Sequence, residues 1–462
     1  MSNPLVNPQQ PSLKKVLGYS SLFAATMGGV ASQSSFVSLL NGAGTGGAPF
    51  FAAILLAFIL TLSYVFSYLE LSLMMPKAGG PGTYATVALG HFPSIIIVLA
   101  AYVFASPFGV VAELNLLEQI VHTVFPSAFS HIGLIVLTLL TIFNFMGINI
   151  FASVQTTIVY VLIVVTLLVG LSGLNGTGAK GASPAELWHE LGKLDVSVFN
   201  LMVLVLWSFA GLEYVCPLLE ESKRPEKNLP KAMISAAFLL LIIYSLIAYA
   251  GMRQLTSSQL SDSEIPHALL VNTMFENTGK WLIMVFAFTS TSCVVNAVIA
   301  GIARMIYGMA HHKELPSIFK KLHPRWDTPW VGIMFVFLSV AIPMLLLGNS
   351  KDLVLISLIS AASLWLVGYI MAHVDVMVLR KKYRNNRRPF KTPLYPLPQI
   401  IGILGMGYAI FKNSPSPDMS IKVYFNSGLM VGIAALYAFF WVRFKMKRKL
   451  FETEPMDEAI AD

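Results

Sequence analysis

Two stretches of this chain carry the residue types needed to hold a small charged molecule. One reads Leu206-Trp207-Ser208-Phe209-Ala210-Gly211-Leu212-Glu213-Tyr214-Val215-Cys216-Pro217. It lies in an apolar run from about Val196 to Leu219, long enough for a membrane-spanning helix. Its middle nevertheless holds Gly211 and Glu213, and Pro217 follows shortly after. Glycine weakens a helix and proline removes a backbone donor. A carboxylate at bilayer depth is costly unless it faces a cavity or a partner. The stretch is therefore expected to be a broken helix with freed backbone groups and Glu213 facing a polar cavity. The same residues also fit a kinked helix whose glutamate sits in packed protein.

The other stretch is Gly28-Gly29, followed by Ser32-Gln33-Ser34-Ser35 and Phe36. Four consecutive polar side chains on a membrane helix cannot all face one neighbour. Small residues let helices pack closely and serines bond back to their own helix, so packing and ligand binding are both open here. Two interrupted helices at corresponding positions of two halves point to a secondary-transporter site. The first five spans and the next five could form such halves.

The remaining intramembrane charges are mostly acidic: Glu70, Glu113, Glu118 and the Glu220-Glu221 pair, with Arg304 the main basic exception. Glu70 and Glu220-Glu221 are expected to pair with basic loops. Glu113 and Glu118 fall in the outer half of the third span, where a vestibule or a helix-end role is the plain alternative to a coupling role. An acidic interior favours a substrate or coupling ion of positive charge. Glu213 is expected to couple substrate charge to conformation: ionised, it attracts an amine; protonated, it releases it. Glu113 is the next candidate for that role.

No catalytic or metal constellation is legible, and no cofactor is expected. There is no phosphate-cradling loop with Lys-Ser/Thr. Cys216 and Cys293 both fall in apolar runs, with neither a disulfide framework nor metal-ligand spacing. His311-His312 reads as a solvated face, and His373 with Asp375 as partners for the basic residues that follow them.

These groups are carried by membrane helices. Of 462 residues, 56% are hydrophobic and only 12% charged, too few charges to cover a soluble protein of this size. Long continuous apolar runs point to helices rather than a barrel. The expected fold is an all-α integral membrane protein of twelve spans. They run at about 16–40, 49–73, 94–121, 132–149, 154–174, 196–219, 231–252, 281–307, 330–348, 352–378, 395–411 and 421–442. The joint near Gly147 to Ser153 is the least marked. With the N-terminus inside, all but seven of the 31 basic residues fall on the inner side. Both termini are thus expected in the cytoplasm, with the basic loops against anionic lipid rather than nucleic acid. No cleavable leader is expected, since the start through Lys15 is polar. The outer loops, about 175–195 and 253–280, are too short for a domain of their own. The sequon at Asn175-Gly176-Thr177 carries little weight.

Four stretches resemble the amino acid-polyamine-organocation transporter superfamily. Tyr68-Leu69-Glu70-Leu71 with Pro76 and Gly79-Gly80 to Tyr84 is similar to its E-L…P-x-A-G-G…Y segment. The Glu213 stretch continues into Glu220-Glu221, Pro225 and Pro230, similar to F-x-G-x-E…E-E-x-x-x-P. Asn296-Ala297, Arg304, Tyr307, Leu315-Pro316 and Thr328-Pro329 resemble a third motif, and Arg388-Pro389-Phe390 to Pro396 a fourth. The resemblance implies a leucine-transporter-type fold, a 5+5 inverted repeat plus two helices. Its parts would be a tail (1–15), repeats over 16–174 and 196–378, two further spans over 395–442, and a tail (443–462). It implies that spans one and six unwind midway to hold substrate, with Ser32, Gln33, Ser34, Trp207, Phe209, Ala210, Gly211 and Leu212 lining the site. Two departures stand out. The family's I-G-S-G-I-F is here Ala31-Ser32-Gln33-Ser34-Ser35-Phe36, with both glycines replaced by serine. The lysine that many proton-coupled members carry in span five aligns near Leu162, which favours exchange over proton symport. The expected activity is secondary transport of an amino acid or related amine across the cytoplasmic membrane, with protons as a possible partner. The alternatives are a polyamine or organic-cation antiporter, or a transport-inactive sensor on the same scaffold.

Overall fold

The computed structural model describes residues 13–175, 181–192, 195–346, 351–414 and 416–461. Most of the N-terminal tail, Gly176 and Thr177 of the sequon, and Lys180 and Lys193 lie outside the described residues. Among the described residues the architecture is all-helical, with one isolated bridge between Leu17 and Ser222.

The first expected span is two short helices, α1 (Tyr19–Gly28) and α2 (Gln33–Gly46), separated by an extended step. Then follow α3 (Phe50–Met74), α4 (His91–Val124, with a π-turn over Val98–Phe104) and α5 (Ile148–Ser172). The sixth span is α6 (Ser197–Ser208), continued after a break by a 3-10 helix over Leu212–Glu221. The second half adds α7 (Pro225–Gln254), α8 (Pro266–His311) and α9 (Lys351–Lys382). Among the described residues, eight helical segments are long and apolar enough to cross a membrane, and Ile132–Phe145, Trp330–Leu346 and Leu397–Phe411 are shorter apolar helices. The protein is a multi-pass membrane protein.

Two boundaries differ from the sequence reading. The joint between the fourth and fifth spans sits at Met146-Gly147, where Gly147 takes φ 120°, a backbone turn that a side chain would resist. The expected loop over 253–280 is largely helical: a short helix at Ser257–Ser261 precedes α8, which begins at Pro266 and kinks at Glu276. Proline in the first turn of α8 suits a helix start, because that amide has no intrahelical partner.

The broken helices form the centre. α1 packs on α5, α7 and the 3-10 segment, while α2 packs on α6 and α7. α3 and α9 close the other side, and Pro417–Phe440 lies at the margin with its apolar residues largely exposed, as lipid contact requires. At the end carrying the basic loops, buried acids are paired. Glu70 binds Arg380 at 2.7 Å and Arg388 at 3.2 Å. Glu221 pairs with Arg304, both buried, so that arginine belongs to an ion pair rather than to a free charge. Two histidine expectations are corrected. His373 is buried from the basic residues and bonds Ser67 at 2.9 Å instead. His312 is not a solvated face: its side chain is 9% exposed and contacts Glu454 at 2.9 Å.

Candidate functional site

The break in the first span follows from how its orphan backbone groups are satisfied. The first amides of a helix have no intrahelical acceptor. Ser32, extended at φ −98° and ψ 159°, caps α2 by accepting from the Ser35 amide at 3.0 Å. The next two amides go to a distant acid. Glu113 Oε2 accepts from the Gln33 amide and Oε1 from the Ser34 amide, both at 2.9 Å. That carboxylate is 2% exposed. It sits where the positive end of the α2 dipole favours negative charge.

The break in the sixth span is satisfied by tyrosines. The Ser208 carbonyl accepts from the Tyr244 hydroxyl and the Phe209 carbonyl from the Tyr64 hydroxyl, each at 2.6 Å. A dry carbonyl without such a donor costs about 1–3 kcal/mol. Gly211 follows at φ 118°, outside the range a side-chain-bearing residue adopts comfortably. Its amide donates to Tyr369 Oη at 2.9 Å, and that hydroxyl donates to Glu213 Oε2 at 3.0 Å.

Two cavities meet here. A vestibule of about 1680 Å³ opens toward the end opposite the basic loops. Below it lies a chamber of about 30 Å³, room for a water or two but not for an organic solute. Ser34, Trp207 and Ala210 border both. Trp207 stacks on Trp365 with centroids 5.1 Å apart and planes at 16°; Trp207 borders both spaces and Trp365 the chamber. Loading the chamber with a solute therefore requires the walls to move.

Of the residues expected to line the site, Ser32, Ser34, Trp207 and Ala210 border the chamber, as does Glu113, expected as a coupling group. The others do not. The Gln33 side chain turns away, donating to Thr291 Oγ1 at 2.6 Å and meeting His267 Nε2 at 3.3 Å. Phe209 is fully buried against Tyr244, and Leu212 is buried beyond the break. Gly211 packs against Gly29 rather than facing the space. Glu213 is fully buried in a tyrosine cluster, so the break is real but the acid sits in packed protein and not in an open polar cavity. Outside the chamber, Glu118 accepts from the Gly133 amide at 3.1 Å, a helix-end role.

Three contributors escaped the sequence reading. Trp365 and Ser106 line the chamber, but single aromatic or hydroxyl residues in apolar spans carry no pattern. The third is Gln155. Its side-chain amide donates to the carbonyls of Ala24 at 3.3 Å and Cys293 at 3.0 Å, and its carbonyl accepts from Asn296 at 2.7 Å. Leu162, which the resemblance aligns with the span-five lysine of proton-coupled members, is a buried packing residue two helical turns further along α5. A helix face repeats about every 3.6 residues, so a count of seven lands on the same side but at another depth.

Comparison with known proteins agrees with this arrangement. Residues 17–441 match the amino acid permease family. The serine/threonine exchanger SteT of Bacillus subtilis is 26% identical, covering 96% of this chain and all of that protein. The glutamate/serine transporter AimA of the same organism is 27% identical over 82% of this chain and 74% of its own length. Among solved structures, a Na⁺-coupled sialic acid symporter in a substrate-bound outward-open state superposes with a TM-score of 0.58. It covers 90% of each chain at 14% identity, a likeness of fold. With two helices broken at its centre and nearly its whole length matched, the chain belongs to the amino acid permease family of membrane transporters.

Proposed function

We propose that this protein carries an amino acid or a related amine by alternating access, with both termini in the cytoplasm. The observation that supports this reading is the pair of broken helices crossing beneath a wide vestibule, with a stacked Trp207–Trp365 pair bordering the chamber. Broken helices free backbone groups at the middle of a bilayer, where substrate is held and the two halves rock. The vestibule end is the outward one, because the basic loops lie at the other end. The small chamber below it corresponds to a site that closes between loading steps.

Exchange is favoured over ion-driven symport. In transporters of this build, unwound backbone carbonyls coordinate the coupling cation. Here the carbonyls of Ala24 and Cys293 already accept from the Gln155 amide, a neutral donor that does not titrate. One of the relatives is a serine/threonine exchanger by name, in keeping with this reading.

The test is transport by the purified chain in vesicles of phosphatidylethanolamine and phosphatidylglycerol, using labelled amino acids and amines. Uptake that rises when the same compound is loaded inside is the expected result. No uptake of any compound, with or without internal load, would overturn the proposal and leave a sensor on this scaffold.

A further inference from the structure

Given the transport function proposed above, we infer that the substrate is an organic amine without a carboxylate, because Glu113 fills the place a substrate carboxylate would need. Half-helix N-termini are where transporters of this build hold anionic substrate groups. In this protein the amides there are taken from within. Gln33 and Ser34 each donate to one Glu113 oxygen at 2.9 Å, and the Ser35 amide donates to Ser32. Glu113 arrives from α4, about eighty positions away along the chain, and is 2% exposed. It is thus a built part of the wall and not a surface acid that happens to lie nearby.

The rest of the chamber agrees in sign. Among the described residues, no lysine, arginine or histidine borders it. An incoming carboxylate would meet a like charge and no cation, and would find the first-turn amides already bonded. An ammonium group meets the reverse. Glu113 supplies negative charge, Ser32, Ser34 and Ser106 supply hydroxyl acceptors, and Trp207 with Trp365 present aromatic faces. Carboxylate, hydroxyls and tryptophan faces together form a cation-binding set. The two serines that replace glycines in the first span belong to the same adjustment. Ser32 caps α2, and Ser34 holds Glu113 through its amide while its side chain borders the chamber.

The experiment uses pairs of compounds that differ only by the carboxylate: ethanolamine with serine, isobutylamine with valine, cadaverine with lysine, agmatine with arginine. Initial uptake by the purified chain in the vesicles described above is measured for both members of each pair. For every pair that enters, the amine is expected to exceed its amino acid by about tenfold or more. Glu113→Ala frees the Gln33 and Ser34 amides, and in that variant the amine-to-amino-acid ratio is expected to fall by about tenfold or more. A wild-type ratio at or below one, or a ratio unmoved in Glu113→Ala, overturns the inference while leaving transport itself established. Should Glu113→Ala fail to fold, Glu113→Gln replaces it, since one amide oxygen cannot hold both backbone donors as two carboxylate oxygens do; the wild-type ratios decide independently of either variant. If no member of any pair enters, the transport proposal falls and this inference with it.

Discussion

Gly29 and Gly211 meet backbone to backbone at the crossing of the two broken helices. A Cβ on either one would collide with the carbonyl oxygen of the other. The breaks in the first and sixth spans are therefore one joint rather than two independent defects, and whatever moves one strand of it must move the other.

Gly211→Leu should abolish transport while the protein still inserts in the membrane, because the side chain meets both the Gly29 carbonyl and an unfavourable φ of 118°. Gly29→Ala should have the same direction of effect for the first reason alone. Uptake should drop at least about tenfold in each, with elution from a sizing column unchanged. Parental uptake by both variants would remove the joint from the mechanism.

Glu213 can be altered without dismantling its surroundings. Glu213→Gln keeps an acceptor for the Tyr369 hydroxyl, which in turn keeps its acceptance of the Gly211 amide. If proton exchange at this acid accompanies turnover, uptake by Glu213→Gln should be slower and flat with pH, while Glu213→Asp retains part of the dependence. Initial rates measured over a pH series check this; both variants tracking the parental curve would assign coupling to another group.

Replacing external sodium with potassium should leave initial uptake unchanged, because the Gln155 amide occupies the carbonyls of Ala24 and Cys293. Gln155→Ala should lower thermal stability, since each buried carbonyl left without a donor costs about 1–3 kcal/mol. Uptake by the parental protein that rises several-fold with sodium would contradict the occupied-carbonyl argument.

The C-terminal tail should dock in a pH-dependent way through His312 and Glu454, 2.9 Å apart. Burial, with a smaller push from Lys77, pulls the His312 imidazole down, but the Glu454 and Glu314 carboxylates together outweigh it and leave His312 above its ordinary value. Burial pushes Glu454 up, and His312, with help from His91 and Arg448, outweighs that, leaving Glu454 below the usual range. The histidine's contribution is fully present below about pH 6.5 and is lost as pH rises through its raised value; the acid's is present above about pH 4.3 and is lost as pH falls through its lowered value. Docking is then firmest between those limits. Once corrected for the intrinsic pH dependence of amide exchange, the protection of residues 451–461 should be greater at about pH 6 than at about pH 8, and His312→Ala should erase the difference. Equal protection at both pH values in the parental protein would break the link.

What could be read from the chain alone follows from local chemistry. Long apolar runs mark membrane helices because a bilayer offers backbone groups no other partner, and Gly211 with Pro217 marks a break because each weakens a helix where it stands. The amino acid permease kinship was legible in the same way, from short motifs read in order. The tertiary structure decided where each freed backbone group finds its partner. The partners come from far along the chain: Glu113 for the Gln33 and Ser34 amides, Tyr64 and Tyr244 for the carbonyls after α6, Gln155 for those of Ala24 and Cys293. Gln33 and Glu213 looked like ligands because both are polar residues in apolar spans. Their side chains are bonded to Thr291 and Tyr369 respectively, and neither residue borders the chamber. Polarity at membrane depth announces that a partner exists; only the packing of distant helices settles whether that partner is the substrate or the protein itself.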